Sequence, residues 1–131
     1  MKVKICVVIS TYNNDITNKL YNSAKIELEK SGIKKFDVFK VPGAFEIPVT
    51  ISKLSKKYDG FIAIGCIIKG QTSNFDLISS AITNGIMNMS ILQKKPIGNS
   101  IITLFNRGQA AQRFDKGKEA VKAVLEVLKI K

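Results

Sequence analysis

The sequence predicts an α/β fold, a three-layer αβα sandwich whose middle layer is a four-stranded parallel sheet. Three observations point there. Strand-like and helix-like segments alternate along the chain with no internal repeat, low-complexity stretch or linker between them, the pattern of a parallel sheet with helices on both faces. Two segments, residues 2–11 (KVKICVVIST) and 60–68 (GFIAIGCII), are nearly continuous apolar runs, which is how strands buried on both faces read. Finally, 131 residues that are 45% hydrophobic can bury one core but not two, so residues 1–131 are expected to form a single domain.

The elements follow in order. Residues 2–11 make the first strand. A helix starts at about Asp15, with Ile16, Leu20, Ala24 and Leu28 four apart on one face and Gly32 as its stop. Residues 36–41 form the second strand and Pro42 with Gly43 the turn after it. A second helix is predicted over residues 45–57. Residues 60–68 are the other central strand. Beyond the loop 69–73 a long helix carries Phe75, Ile78, Ile82, Ile86 and Met89 on one side and ends near Lys95 and Pro96. The fourth strand lies within residues 97–104, and two helices close the chain, a short one near 107–113 and a longer one over 116–128.

Composition removes several kinds of chemistry. The chain has no histidine, so His-dependent triads, His-ligated zinc and the commonest general base are absent. Its two cysteines, Cys6 and Cys66, sit inside apolar runs; they read as small buried hydrophobes, and two thiols alone cannot close a tetrahedral zinc site. No metal is expected. The start of the chain is strand-like and no long uncharged apolar run occurs, so no membrane association and a cytoplasmic location are expected. A net charge of +11 raises the question of nucleic acid. The lysines are nevertheless dispersed, as pairs at element ends (Lys34 and Lys35, Lys56 and Lys57, Lys94 and Lys95) and along the last helix. Without an aromatic-interleaved basic stripe they read as a solvated face that attracts anionic substrates, and no nucleic-acid partner is expected.

Open parallel sheets bind ligands beyond the carboxyl ends of their strands, which selects residues 11–14, 42–46, 69–74 and 104–106. Tyr12 offers an aromatic face, Phe45 an apolar wall and Glu46 a carboxylate that accepts hydrogen bonds from hydroxyls. The loop Gly70-Gln71-Thr72-Ser73 precedes a helix, where unpaired backbone N–H groups favour a phosphate. An ordinary helix cap would use the same residue types.

The string Val41-Pro42-Gly43-Ala44-Phe45-Glu46-Ile47-Pro48 resembles the PGAFEIP signature of lumazine synthases. The resemblance extends along nearly the whole chain, through Thr11-Tyr12-Asn13, the stretch from Ile64 through Gly65 and Gly70 to Asp76, the segment Gln109-Ala110-Ala111-Gln112-Arg113, and Lys116-Gly117. It implies a flavodoxin-like fold and the condensation of 5-amino-6-(D-ribitylamino)uracil with 3,4-dihydroxy-2-butanone 4-phosphate, a step of riboflavin biosynthesis that needs no metal or organic cofactor. It also implies a homo-oligomer, a pentamer or decamer, with sites between subunits. Carried over by position, Tyr12 and Asn13 would face the pyrimidine, Ala44, Phe45 and Glu46 the ribityl chain, and Cys66, Ile67 and Ile68 the ring. Gly70, Gln71 and Thr72 would bind phosphate, with Arg113 of the adjacent subunit and Lys116 adding charge.

Three departures stand out. Asn74 occupies the position of the histidine usually assigned to proton transfer, and an amide cannot accept a proton near neutral pH. Asn99 stands where many relatives place an aromatic residue from the neighbouring subunit. The sequence starts almost at the first strand, without the extension that many relatives pair with the next subunit, and the junction from Arg113 to Lys116 is shorter than the glycine-rich link of shell-forming types, so a sixty-subunit shell is not expected. The alternative functions are a non-catalytic lumazine- or flavin-binding paralogue and a basic RNA-binding domain.

Overall fold

A computed structural model describes residues 2–70 and 74–131. Strand β1 (Ile5–Ser10) leads into helix α1 (Asn14–Lys30), β2 (Asp37–Val41), α2 (Ile47–Leu54), β3 (Gly60–Ile68), α3 (Asn74–Gln93), β4 (Ile97–Leu104) and α4 (Lys116–Leu128). The sheet order is β2-β1-β3-β4 and every pairing is parallel. This is the α/β architecture the alternation predicts, with the flavodoxin-like strand order that the resemblance implies. β1 and β3 are the central strands, as their continuous apolar sequences require.

The pleat divides β1 between two cores. Ile5, Val7 and Ile9 face α1 and α4, where Leu20, Ala24, Leu28, Val121 and Val124 complete one cluster. Cys6 and Val8 face α2 and α3, packing with Ile47, Ile51, Ile82 and Ile86. The four-residue spacing in α1 therefore marks its buried stripe: Ile16, Leu20, Ala24 and Leu28 are all buried. At its end Gly32 adopts φ +87°, a conformation glycine enters without the Cβ clash that opposes it elsewhere.

Three helix assignments need correction. The segment read as one helix over residues 45–57 is a 3-10 turn, Ala44–Glu46, followed by an α-helix of only eight residues. Pro48 explains the start, since it lacks an N–H and fits only the first turn of an α-helix. Glu46 Oε1 accepts the Gly43 N–H at 2.8 Å, which holds the preceding turn. The short helix near 107–113 is likewise a 3-10 turn, Arg107–Gln112. α3 stops at Gln93, before the predicted end, because Lys94 takes the left-handed conformation.

Candidate active site

The carboxyl ends of the strands are drawn together by backbone hydrogen bonds. The N–H groups of Thr11 and Tyr12 donate to the carbonyl oxygens of Val41 and Pro42 at 2.8 and 2.9 Å, and that of Lys69 donates to Leu104 at 2.8 Å. These bonds hold the β1, β2, β3 and β4 ends around a pocket of about 420 Å³, within the range of small-ligand sites. Tyr12 and Asn13 line it from the β1 end, Gly43, Ala44 and Phe45 from the β2 end, and Cys66, Ile67 and Ile68 from β3. Ile78 of α3 and Arg107 complete it. A larger groove, about 1120 Å³, opens at the opposite end of the sheet beside Val3, Phe36 and Tyr58. It lies at the amino ends of β1 and β2, away from the loops that a parallel sheet uses for ligands, so position rather than size selects the site.

Within the pocket Tyr12 is 73% exposed and Phe45 61%, leaving two aromatic side chains accessible to a flat ligand. Asn13 adopts φ 60° and ψ 45°, a left-handed conformation that asparagine tolerates better than most residues. Its Nδ2 faces the Cys66 carbonyl oxygen at 3.5 Å and its Oδ1 accepts from Arg107 Nη1 at 2.9 Å. Arg107 also forms an ion pair with Asp15. That hydrogen bond is the main cause that lowers the Asp15 pKa and raises that of Arg107. Burial pushes the Cys66 thiol up to about 11, so it is a wall of the pocket and not a thiolate nucleophile at neutral pH.

The expected site residues divide into groups. Tyr12, Asn13, Ala44, Phe45, Cys66, Ile67 and Ile68 meet at one pocket. Glu46 stands beside it with one carboxylate oxygen turned onto the Gly43 N–H. Gly70 follows the end of β3, whereas Gln71 and Thr72 lie outside the described residues. Asn74 is the first residue of α3. Three others are not brought to this pocket within the chain. Asn99 lies on exposed β4 surface with its Oδ1 accepting the Ile101 N–H at 3.0 Å. Arg113 caps the 3-10 turn after β4, and Lys116 opens α4 with Glu119 3.8 Å away. Arg107 and Ile78 were not anticipated as site residues. Arg107 follows directly on residues 104–106, which the strand-end rule had selected, so reading that loop one residue further would have found it.

Among the described residues, no group of three or more His, Cys, Asp and Glu side chains is placed to hold a metal ion, and no helix is long and apolar enough to cross a membrane.

Comparison with known proteins adds the following. Residues 2–131 match the family described as 6,7-dimethyl-8-ribityllumazine synthase. Relatives bearing that name include one from Albidiferax ferrireducens, 37% identical over 96% of this chain and 83% of its own. Another, from Thermococcus kodakarensis, is 36% identical over 95% of this chain and 84% of its own. A third, from Afipia carboxidovorans, is 34% identical over 98% of this chain and 85% of its own.

Proposed function

Because the chain belongs to the 6,7-dimethyl-8-ribityllumazine synthase family, we propose that it condenses 5-amino-6-(D-ribitylamino)uracil with 3,4-dihydroxy-2-butanone 4-phosphate, releasing phosphate and water and yielding 6,7-dimethyl-8-ribityllumazine. The observation that supports this reading most is the pocket at the carboxyl ends of β1, β2 and β3, with the exposed Tyr12 ring on one side and apolar residues on the other. The pyrimidine stacks on Tyr12 beside Asn13 and lies against Cys66, Ile67 and Ile68. The ribityl chain runs past Ala44 and Phe45 to Glu46, whose carboxylate accepts hydrogen bonds from its hydroxyls. The phosphate is held at Gly70, Gln71 and Thr72.

The reaction joins an amine to a ketone, so positioning supplies most of the acceleration. Well-oriented reactants reach effective molarities of about 10⁵–10⁸ M, whereas one general base contributes about 10²–10⁴. Loss of the histidine at position 74 therefore slows the enzyme without abolishing its chemistry. No metal or organic cofactor takes part.

The protein works as a homo-oligomer, a pentamer or a pair of pentamers in the cytoplasm. Asn99, Arg113 and Lys116, which do not line their own chain's pocket, then serve the pocket of the neighbouring subunit. Val49 of α2 and Leu77, Met87, Ile91 and Leu92 of α3 are exposed, which supports a covered face on that side of the sheet.

Mixing the two substrates with the purified protein and following absorbance tests the reading. Steady lumazine formation is expected. The alternative, a lumazine- or flavin-binding paralogue, is motivated by the amide at Asn74, and it predicts a bound coloured ligand with no turnover.

A further inference from the structure

Arg107 enters the pocket from the turn after β4, 94 residues along the chain from Asn13. Besides it, Tyr12 and Asn13 are the only pocket residues with a nitrogen or oxygen in the side chain, among the described residues. Asn13 has both ends of its amide directed at protein groups, Oδ1 to Arg107 and Nδ2 to the Cys66 carbonyl. The guanidinium has five N–H donors, and its hydrogen bonds run from Nη1 to Asn13 and from Nη2 to Asp15. Donors therefore remain on a side chain that is 51% exposed and lines the ring pocket. Asp15 also balances its charge. A phosphate dianion placed against this guanidinium would meet the Asp15 carboxylate as well, whereas a neutral carbonyl would meet no such repulsion.

We propose that Arg107 is a specificity-determining residue of the ring pocket. Its remaining N–H groups donate to the carbonyl edge of the pyrimidine, and its hold on Asn13 and Asp15 fixes them there while keeping this end of the site unattractive to phosphate. The inference rests on the proposed condensation, since it assigns the polar edge of that reaction's ring substrate. It also separates two kinds of cation: Arg107 reads a neutral heterocycle, and the phosphate is left to the loop after β3.

The test uses the full-length protein, with 6,7-dimethyl-8-ribityllumazine followed by fluorescence and inorganic phosphate by calorimetry. Arg107→Met should bind the lumazine at least about tenfold more weakly, as expected for losing a hydrogen bond from a charged donor, and bind phosphate within about twofold of wild type. In the condensation assay the same variant should raise KM for the pyrimidine and leave KM for the butanone phosphate in place. Arg107→Lys, which keeps a charge and a donor, should recover part of the loss. Asp15→Asn should tighten phosphate binding, because the repelling carboxylate is gone. Lumazine affinity unchanged in Arg107→Met overturns the proposal, as does a loss of phosphate affinity as large as the loss for lumazine. Phosphate affinity unchanged in Asp15→Asn overturns the part given to Asp15. A folded wild type that binds no lumazine overturns the condensation itself and this assignment with it.

Discussion

At the residue scale the proposed condensation turns on position 74, where Asn74 opens α3 with an amide, a group that cannot accept a proton near neutral pH. The chain has no histidine, the side chain whose unperturbed pKa lies near about 6.5. Both thiols are pushed away from that range by burial, Cys66 to about 11 and Cys6 to about 12. The kcat of the wild type should therefore show no limb from an imidazole or a thiol between about pH 6 and 7.5. Asn74→His should add a limb near about pH 6.5 and raise kcat by up to about 10²-fold if the ring reaches the reacting carbonyl. Superimposable profiles for the two proteins would remove position 74 from the chemistry and leave it as a residue of the helix start.

At the scale of elements, the close approach of α4 to α1 leaves no room for a side chain at one position. A Cβ at Gly117, in the first turn of α4, would run into the Leu20 carbonyl and the Ala24 nitrogen of α1. Backbone cannot yield as a side-chain tip can, so Gly117→Ala should cost about 1–3 kcal/mol of stability. A lower denaturant midpoint at unchanged slope would show it, and an unshifted midpoint would contradict the close approach. The elements legible in the sequence are those whose burial pattern is written in consecutive residues. β3 (Gly60–Ile68) and α4 (Lys116–Leu128) have the predicted limits, because an apolar run or a helical stripe reports its own burial. α2 was read too long because a helical hydrophobic pattern does not distinguish a 3-10 turn from the α-helix that follows it. Arg107 was missed for a different reason: its partners Asn13 and Asp15 are 94 and 92 residues away. Only the order of the sheet brings them together. Tyr12 and Phe45 were legible because the strand-end rule names loops, and the residue types in those loops name the chemistry.

At the scale of the whole molecule, the proposed assembly places part of each site on a neighbouring subunit. Tyr12 and Phe45 border the ring pocket of their own chain and Arg113 does not; in the proposed assembly Arg113 serves the phosphate site of a neighbouring subunit. Light scattering should therefore report a multiple of five subunits; a dimer with full activity would refute that assembly, and a fully active monomer the shared site as well. The net charge of +11 fits substrates that carry phosphate, by raising their local concentration and association rate. The most direct measurement of the shared site is complementation between two inactive variants, Tyr12→Ala on the ring side and Arg113→Ala on the phosphate side, refolded together. Random mixing in a ring gives about one site in four with both native residues. Lumazine formation should rise to about a quarter of the wild-type rate, and a mixture no more active than the two variants assayed apart would contradict an active site built between neighbouring subunits.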